Sequence, residues 1–125
     1  MQKTARVIIS DGEKVLLGKR AEGIEVGKWN IFGGKVDEDE TFEQAAKREV
    51  FEETGIEPAE LEFLFKNVSE GWLSTYFQAI IHHHIPSKIT EHTEVNWFSW
   101  QEIQSMRDQI AFNHYLVLRD YFRLY

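Results

Sequence analysis

The spacing of apolar and polar positions changes several times along the chain, and each change marks an element. Residues 4–10 (TARVIIS) are rich in β-branched side chains and predict a strand. Asp11-Gly12 predicts a two-residue hairpin turn, and Lys14 to Arg20 (KVLLGKR) the returning strand. Residues 21–28 (AEGIEVGK) are polar and contain glycine, forming a loop long enough to border a pocket. Trp29 to Phe32 predicts a short strand that runs into a turn at Gly33-Gly34. The period then lengthens. Phe42, Ala45, Ala46 and Val50 fall on one stripe at helical spacing, with Thr41 as N-cap and Gly55, followed by Pro58, as the stop. Leu61 to Val68 and Trp72 to Ile85 return to strand composition and pair as a hairpin across Ser69-Glu70-Gly71. Val95 to Trp100 predicts one more strand. A short helix from Gln101 to Arg107 follows, then a terminal helix from His114 to Arg123 with Tyr115, Leu118 and Phe122 on its apolar stripe. This order predicts a single α/β (α+β) domain over residues 1–125, a mixed β-sheet sandwiched between α-helices.

The polar side of the first helix is unusual. Glu49, Glu52 and Glu53 stand at i, i+3 and i+4, so their side chains converge. Like charges at these spacings repel by about 0.2–0.5 kcal/mol per pair even in water. A solvated acidic face would explain the helix. It would not explain the Gly-Gly entry, the isolated Glu40 before the cap, or Arg48 in register with the acids. A hard divalent cation removes the repulsion. Mg²⁺ takes carboxylate oxygens in octahedral geometry and commonly shares its shell with substrate phosphates. Arg48 can hold one carboxylate in place and leave the others free for metal.

From Gly33 to Ile56 the chain reads GGKVDEDETFEQAAKREVFEETGI. Gly34, Glu40, Arg48-Glu49-Val50, Glu52-Glu53 and Gly55-Ile56 stand in fixed register there. This stretch, about a fifth of the chain, resembles the signature of the Nudix hydrolases. The resemblance implies a Nudix fold, a divalent cation (Mg²⁺, or Mn²⁺ in its place), and hydrolysis of a nucleoside diphosphate linked to another group. It places the metal on Glu49, Glu52 and Glu53, with Glu40 near the shell, Arg48 as the orienting partner, and Gly34 and Gly55 keeping the loop–helix–loop shape. Most members carry proline where Phe32 stands. The WN-x-FGGKV pattern is similar to the subset that sanitises oxidised purine nucleoside triphosphates, which implies a base contact for Asn30. Asn113 is either a second base contact or the N-cap of the last helix. Glu91 and Glu94 are the acids of the loop before Trp97, and the spacing favours Glu91 as the carboxylate that supplements the helix.

The chemistry expected is attack of an activated water on a phosphorus of the diphosphate link, its proton taken by Glu52, Glu53 or Glu91. Lys35 or Arg20 would stabilise the leaving phosphate, and Asn30 and Phe32 would form the base pocket, with Trp29, Trp72 or Phe112 stacking on the base. The favoured substrate is 8-oxo-dGTP, cleaved to a nucleoside monophosphate and pyrophosphate. The alternatives are ADP-ribose, a nucleotide sugar or a dinucleoside polyphosphate. A non-catalytic nucleotide-binding domain is disfavoured because the acids of the signature are all present.

Composition narrows the partners. The chain has 125 residues, 42% of them hydrophobic, enough for one core. The formal charge of −7, from 14 basic and 21 acidic residues, argues against a nucleic-acid polymer as partner. A small nucleotide balanced by metal and local cations remains. Cysteine is absent and the apolar run at the start is too short to enter a membrane, so a cytoplasmic monomer or homodimer is expected. His82, His83 and His84 alternate across a strand and cannot share one metal.

Overall fold

The computed structural model describes residues 1–82 and 89–125. Its elements in chain order are β1 (Gln2–Ser10), β2 (Val15–Arg20), β3 (Trp29–Asn30), β4 (Phe32–Lys35), α1 (Phe42–Thr54), β5 (Glu62–Ser69), β6 (Trp72–Ile80), β7 (His92–Phe98), α2 (Trp100–Ser105) and α3 (His114–Leu124). A 3₁₀ turn, Arg107–Gln109, links α2 to α3. The expected mixed sheet between helices is present. His83, His84 and the expected end of the long strand at Ile85 lie outside the described residues, as does the Pro86 start of the following loop. His82 is exposed beyond the end of β6.

β1 is the centre. It runs parallel to β6 along its whole length, from Gln2 beside Trp72 to Ser10 beside Ile80. Its other edge is shared: Ile9 and Ser10 pair with β2, and Thr4 to Val7 pair with β4. Beyond that short contact β2 leaves β1, pairing with β3 through Gly18 and Lys19 and with β7 from Val15 to Arg20. The sheet therefore splits, and the chain crosses the split at Ile31.

Period-2 alternation on β1 feeds two cores. Ala5, Val7 and Ile9 join Leu16, Phe32 and Phe77 under Ala45, Ala46 and Val50 of α1. Ile8 joins Val15, Leu17, Tyr76 and Phe98 under Ile103 of α2 and Val117, Leu118 and Tyr121 of α3. Each large side chain buried in this way stabilises by about 1.5–3 kcal/mol. The buried face of α3 runs through His114, Val117, Leu118 and Tyr121. Of the expected stripe, Leu118 lies on this face, whereas Tyr115 and Phe122 flank it, against Trp100.

Two turns differ from expectation. Asp11-Gly12 is part of a four-residue turn, in which Asp11 Oδ1 accepts the backbone N–H groups of Glu13 (2.8 Å) and Lys14 (2.6 Å). Side-chain acceptance of this kind competes with a tight hairpin. Gly33 and Gly34 are not a turn but lie within β4, opposite Arg6 and Ala5. A Cβ on Gly33 would collide with the Ala5 carbonyl and come within 2.6 Å of Arg6 Cα, at a φ of 147°. Helix α1 is capped as expected. Thr41 and Gln44 exchange a capping box, and Gly55 closes the helix at φ 76° with its N–H on Phe51 O.

His114 pins α3 to the crossing: its Nδ1 accepts the Ile31 backbone N–H at 3.1 Å. Burial first, then the charges of Arg6 and Arg20, hold its pKa well below the ordinary histidine range. The unfolded chain therefore binds the proton first. Stability should be intact above about pH 6.5 and should fall as pH drops below it. In chemical denaturation between about pH 8 and pH 5, wild type should lose stability relative to His114→Gln, which does not titrate, as pH falls.

Candidate active site

Two residues flanking the split meet the acidic end of α1: Gly34 lies against Glu49, and His92 Nε2 stands 3.9 Å from Glu53 Oε1. Glu49 and Glu53 are one turn apart on α1, and Glu91 approaches from the segment before β7. One carboxylate oxygen from each lies within 4.8 Å of the others. Glu53 is buried at 2% exposure, and its Oε2 is enclosed with no hydrogen-bond partner. Burial, followed by the charges of Glu49 and, after Arg6, Glu91, pushes its pKa well up, and Arg6 pulls against this. Burial also raises Glu49, against the pull of Arg48. Both acids sit toward the C-terminal end of α1, where the helix dipole disfavours negative charge by about 0.3–1 kcal/mol.

Gly34 explains part of the close packing. A Cβ there would come within 2.6 Å of Cδ and Oε1 of Glu49. Only glycine lets the Glu49 carboxylate lie flat on β4.

Arg48 organises the other side. Its Nε and Nη2 bind the two oxygens of Glu40 at 2.7 and 2.9 Å, and Nη1 reaches Glu49 at 3.0 Å. Nη2 also donates to the Lys35 carbonyl at 3.1 Å. The pair with Arg48 holds Glu40 down to about 2. Glu40 thus spends both oxygens on Arg48, and its Oε1 also accepts the Asp37 N–H. The structure brings it to Arg48 rather than into the acidic cluster. Glu52 is likewise apart. Its side chain is 55% exposed and lies toward Arg48 at 3.3 Å, because the i+3 position faces solvent while i and i+4 face the split.

The residues expected to hold substrate scatter. Phe32 is 0% exposed in the α1 core, with its ring edge-on to His92 at 5.2 Å, and cannot touch a ligand. Trp29 is also buried. Lys35 lays its Nζ 5.6 Å above the Trp72 ring. Arg20 places its guanidinium 4.8 Å from the ring centre of Phe112, and its Nε donates to Ile24 O. Phe112 is exposed and sits at φ 54°, a backbone region an aromatic residue seldom adopts. Asn113 is at the N-cap of α3 but makes no side-chain cap bond; its Nδ2 donates to Asn67 Oδ1 at 3.0 Å.

Asn30 is 2% exposed. Its partners are matched when the amide nitrogen donates to His92 Nε2 (2.8 Å) and Gly18 O (3.0 Å) and the oxygen accepts from Arg20 Nη1 (3.2 Å). Both N–H groups are then spent inside the protein, and a base edge would find no donor there. The direct base contact expected of Asn30 is not what this geometry offers.

Thr90 and His92 are site residues that nothing in the local sequence marks. Arg6, which the sequence offers as strand-surface charge or as a phosphate contact, is the cation that pulls against the raised pKa of Glu53. Its Nη1 donates to Ile31 O at 2.7 Å. Its strand position, inward-facing beside Val7 and Ile8, was the available signal.

The fold and the site define an α+β domain that presents helix-borne carboxylates at a split in a mixed sheet. The family model for the NUDIX domain matches residues 1–121, and the chain belongs to the Nudix family. It is similar to a MutT-like protein of Streptomyces ambofaciens, 31% identical over 85% of this chain and 68% of that one. It is also similar to the oxidized purine nucleoside triphosphate hydrolase of Mus musculus, 50% identical over 50 residues. That match covers 40% of this chain and 32% of the mouse protein. Among solved structures, a mutT/nudix family protein from Listeria innocua superposes with TM-score 0.78 at 27% identity, over 98% of this chain and 92% of that one. The Nudix domain of Shewanella oneidensis NrtR, complexed with ADP ribose, gives 0.78 at 26% over 98% and 88%. Among the described residues, no helix is long and apolar enough to cross a membrane.

Two variants test this site. Because the folded-state pKa of Glu53 is raised, the cation-free folded protein keeps a proton that the unfolded chain releases. Stability is therefore lost as pH rises above the ordinary glutamate range near ~4.3. Glu53→Gln should melt higher than wild type at neutral pH without divalent cations. Mg²⁺ should raise the melting temperature of wild type and leave the variant unmoved. Gly34→Ala should displace the Glu49 carboxylate and blunt the Mg²⁺ response in the same scan.

Proposed function

We propose that the protein is a divalent-cation-dependent hydrolase of the phosphoanhydride bonds of nucleotides, most active on a purine nucleoside triphosphate such as 8-oxo-dGTP. The observation that carries the reading is the Glu49–Glu53–Glu91 cluster with its enclosed, unmatched Glu53 oxygen, set in a Nudix domain. Three hard oxygen donors within reach of one point suit Mg²⁺ or Mn²⁺. The orphaned oxygen fits such an ion, and Gly34 leaves the Glu49 carboxylate room to lie beside it.

When bound, the cation supplies charge to offset the phosphoryl oxygens and makes a nearby water more acidic. The chain does the rest. Arg48, anchored by Glu40, fixes the rotamer of Glu49. Attack of water on phosphorus breaks the bridging P–O bond, and the water's proton passes to a cluster carboxylate. Glu52 faces away, so the geometry favours Glu53 or Glu91 for that proton. The leaving phosphate keeps the bridging oxygen, and Arg20 on Phe112 supplies a cation for substrate charge near the split.

The base preference rests on the likeness to the oxidized purine nucleoside triphosphate hydrolases. A second reading, a pyrimidine triphosphate, is favoured by a different observation. A CTP pyrophosphohydrolase of Escherichia coli is 30% identical over 82% of this chain and 78% of its own length, and the Asn30 amide is already committed.

Pyrophosphate and phosphate release with Mg²⁺ should be measured across 8-oxo-dGTP, dGTP, CTP, ADP-ribose, a nucleotide sugar and a dinucleoside polyphosphate. Pyrophosphate from 8-oxo-dGTP above dGTP and CTP is expected, with a loss of about 100-fold or more in Glu91→Gln. CTP ahead of the purines would transfer the assignment to the second reading. Absence of turnover on the whole panel would overturn the enzymatic one.

A further inference from the structure

The acid that completes the cluster, Glu91, is not on a regular element. It sits at φ 63°, a left-handed conformation that a glutamate holds only when its surroundings impose it. What imposes it is a continuous line of hydrogen bonds. Thr90 donates from Oγ1 to Glu52 O (2.7 Å) and from its backbone N–H to Glu53 O (3.2 Å). These are carbonyls of the last turn of α1, which have no partner within the helix. On the far side of Glu91, His92 Nδ1 donates back to Thr90 O at 2.9 Å, which leaves Nε2 as an acceptor. Asn30 fills that acceptor, and its own oxygen takes Arg20 Nη1. The Glu91 carbonyl accepts from Ala21 N at 3.1 Å, next to Arg20 in the chain. The imidazole lies directly against Gly18. Gly18 has no side chain, and a Cβ there would come within 2.6 Å of His92 Cδ2.

We propose that Asn30 and His92 are positioning residues that act through Glu91: Asn30 holds His92 and His92 holds Thr90, which together keep the Glu91 carboxylate on Glu49 and Glu53 and so set the affinity of the cluster for a divalent cation. This deepens the reading of the site as a cation site and rests on it. Partners that orient a metal's ligands are worth about 10- to 100-fold in affinity. The same line ends on Arg20, so a ligand that draws Arg20 away loosens Asn30 and, through His92, Glu91.

The test is Mn²⁺ binding to the protein without nucleotide, followed by titration of the electron paramagnetic resonance signal of free Mn²⁺. His92→Phe keeps the ring against Phe32 and loses both hydrogen bonds. Asn30→Leu keeps the volume and loses the donors. Each should weaken Mn²⁺ about 10-fold or more. Thr90→Val, an isosteric change at an exposed position, should shift affinity in the same direction and guards against loss of folding in the other two. The decisive reading is the double variant. If His92 acts through Glu91, then His92→Phe with Glu91→Gln binds no more weakly than Glu91→Gln alone, whereas a general structural role gives additive losses. In turnover, Asn30→Leu should raise the Mg²⁺ concentration needed for half-maximal rate and leave the ratio of rates between bases unchanged. Unaltered Mn²⁺ affinity in the variants, additive losses, or a changed base ratio at constant affinity would overturn the proposal. Failure of the wild type itself to bind Mn²⁺ would remove the cation reading beneath it.

Discussion

The constraint on which this molecule turns is the gathering of carboxylates where water is scarce. Two unit charges about 5 Å apart near a protein surface repel by on the order of 3 kcal/mol. Glu53, Glu49 and Glu91 are at that separation, and Glu53 is withdrawn from solvent. A protein stable by only about 5–15 kcal/mol cannot ignore such a term. Arg6 and Arg48 offset part of it, one from the floor of the split and one from the outer face of α1. Neither reaches Glu53 Oε2. The remaining imbalance is what makes the cluster a receptor for a cation rather than a salt bridge.

The fold exists around that cluster in a specific sense. β1 carries both cores, and its edge is divided between β2 and β4. The division creates the split, and the split is where α1 can aim acids inward without burying them in an apolar core. Two glycines make the approach sterically feasible: Gly34 under Glu49 and Gly18 under His92. Arg48 is held by Glu40 at the entry to α1, so that helix, entry loop and β4 are fixed to one another by a single guanidinium.

Much of this was legible in the sequence, for physical reasons that differ by residue. The helix from Phe42 to Thr54 could be read because its stripe, cap and stop agree, and local signals decide it. The pairing of Glu49 with Glu53 followed from i, i+4 geometry. The outward turn of Glu52 follows from the same geometry but needs the direction of the core, which spacing alone does not give. Gly-Gly usually marks a turn, and the strand role of Gly33 and Gly34 depends on Ala5 and Arg6, far away in the chain. The base contact expected of Asn30 comes from the resemblance to the oxidised-purine subset, not from its neighbours. Its burial against His92, 62 residues away, could not be seen from its neighbours. The contacts of Arg6, Thr90 and His92 are hidden for the same cause, since their partners are tertiary.

The measurement closest to the central claim is a crystal structure with Mn²⁺, read by anomalous scattering. The account predicts one strong peak in contact with Glu49, Glu53 and Glu91, with Glu40 still on Arg48 and Glu52 facing outward. A peak held by Glu40 or Glu52 with Glu53 still unmatched, or no peak at α1, would contradict it.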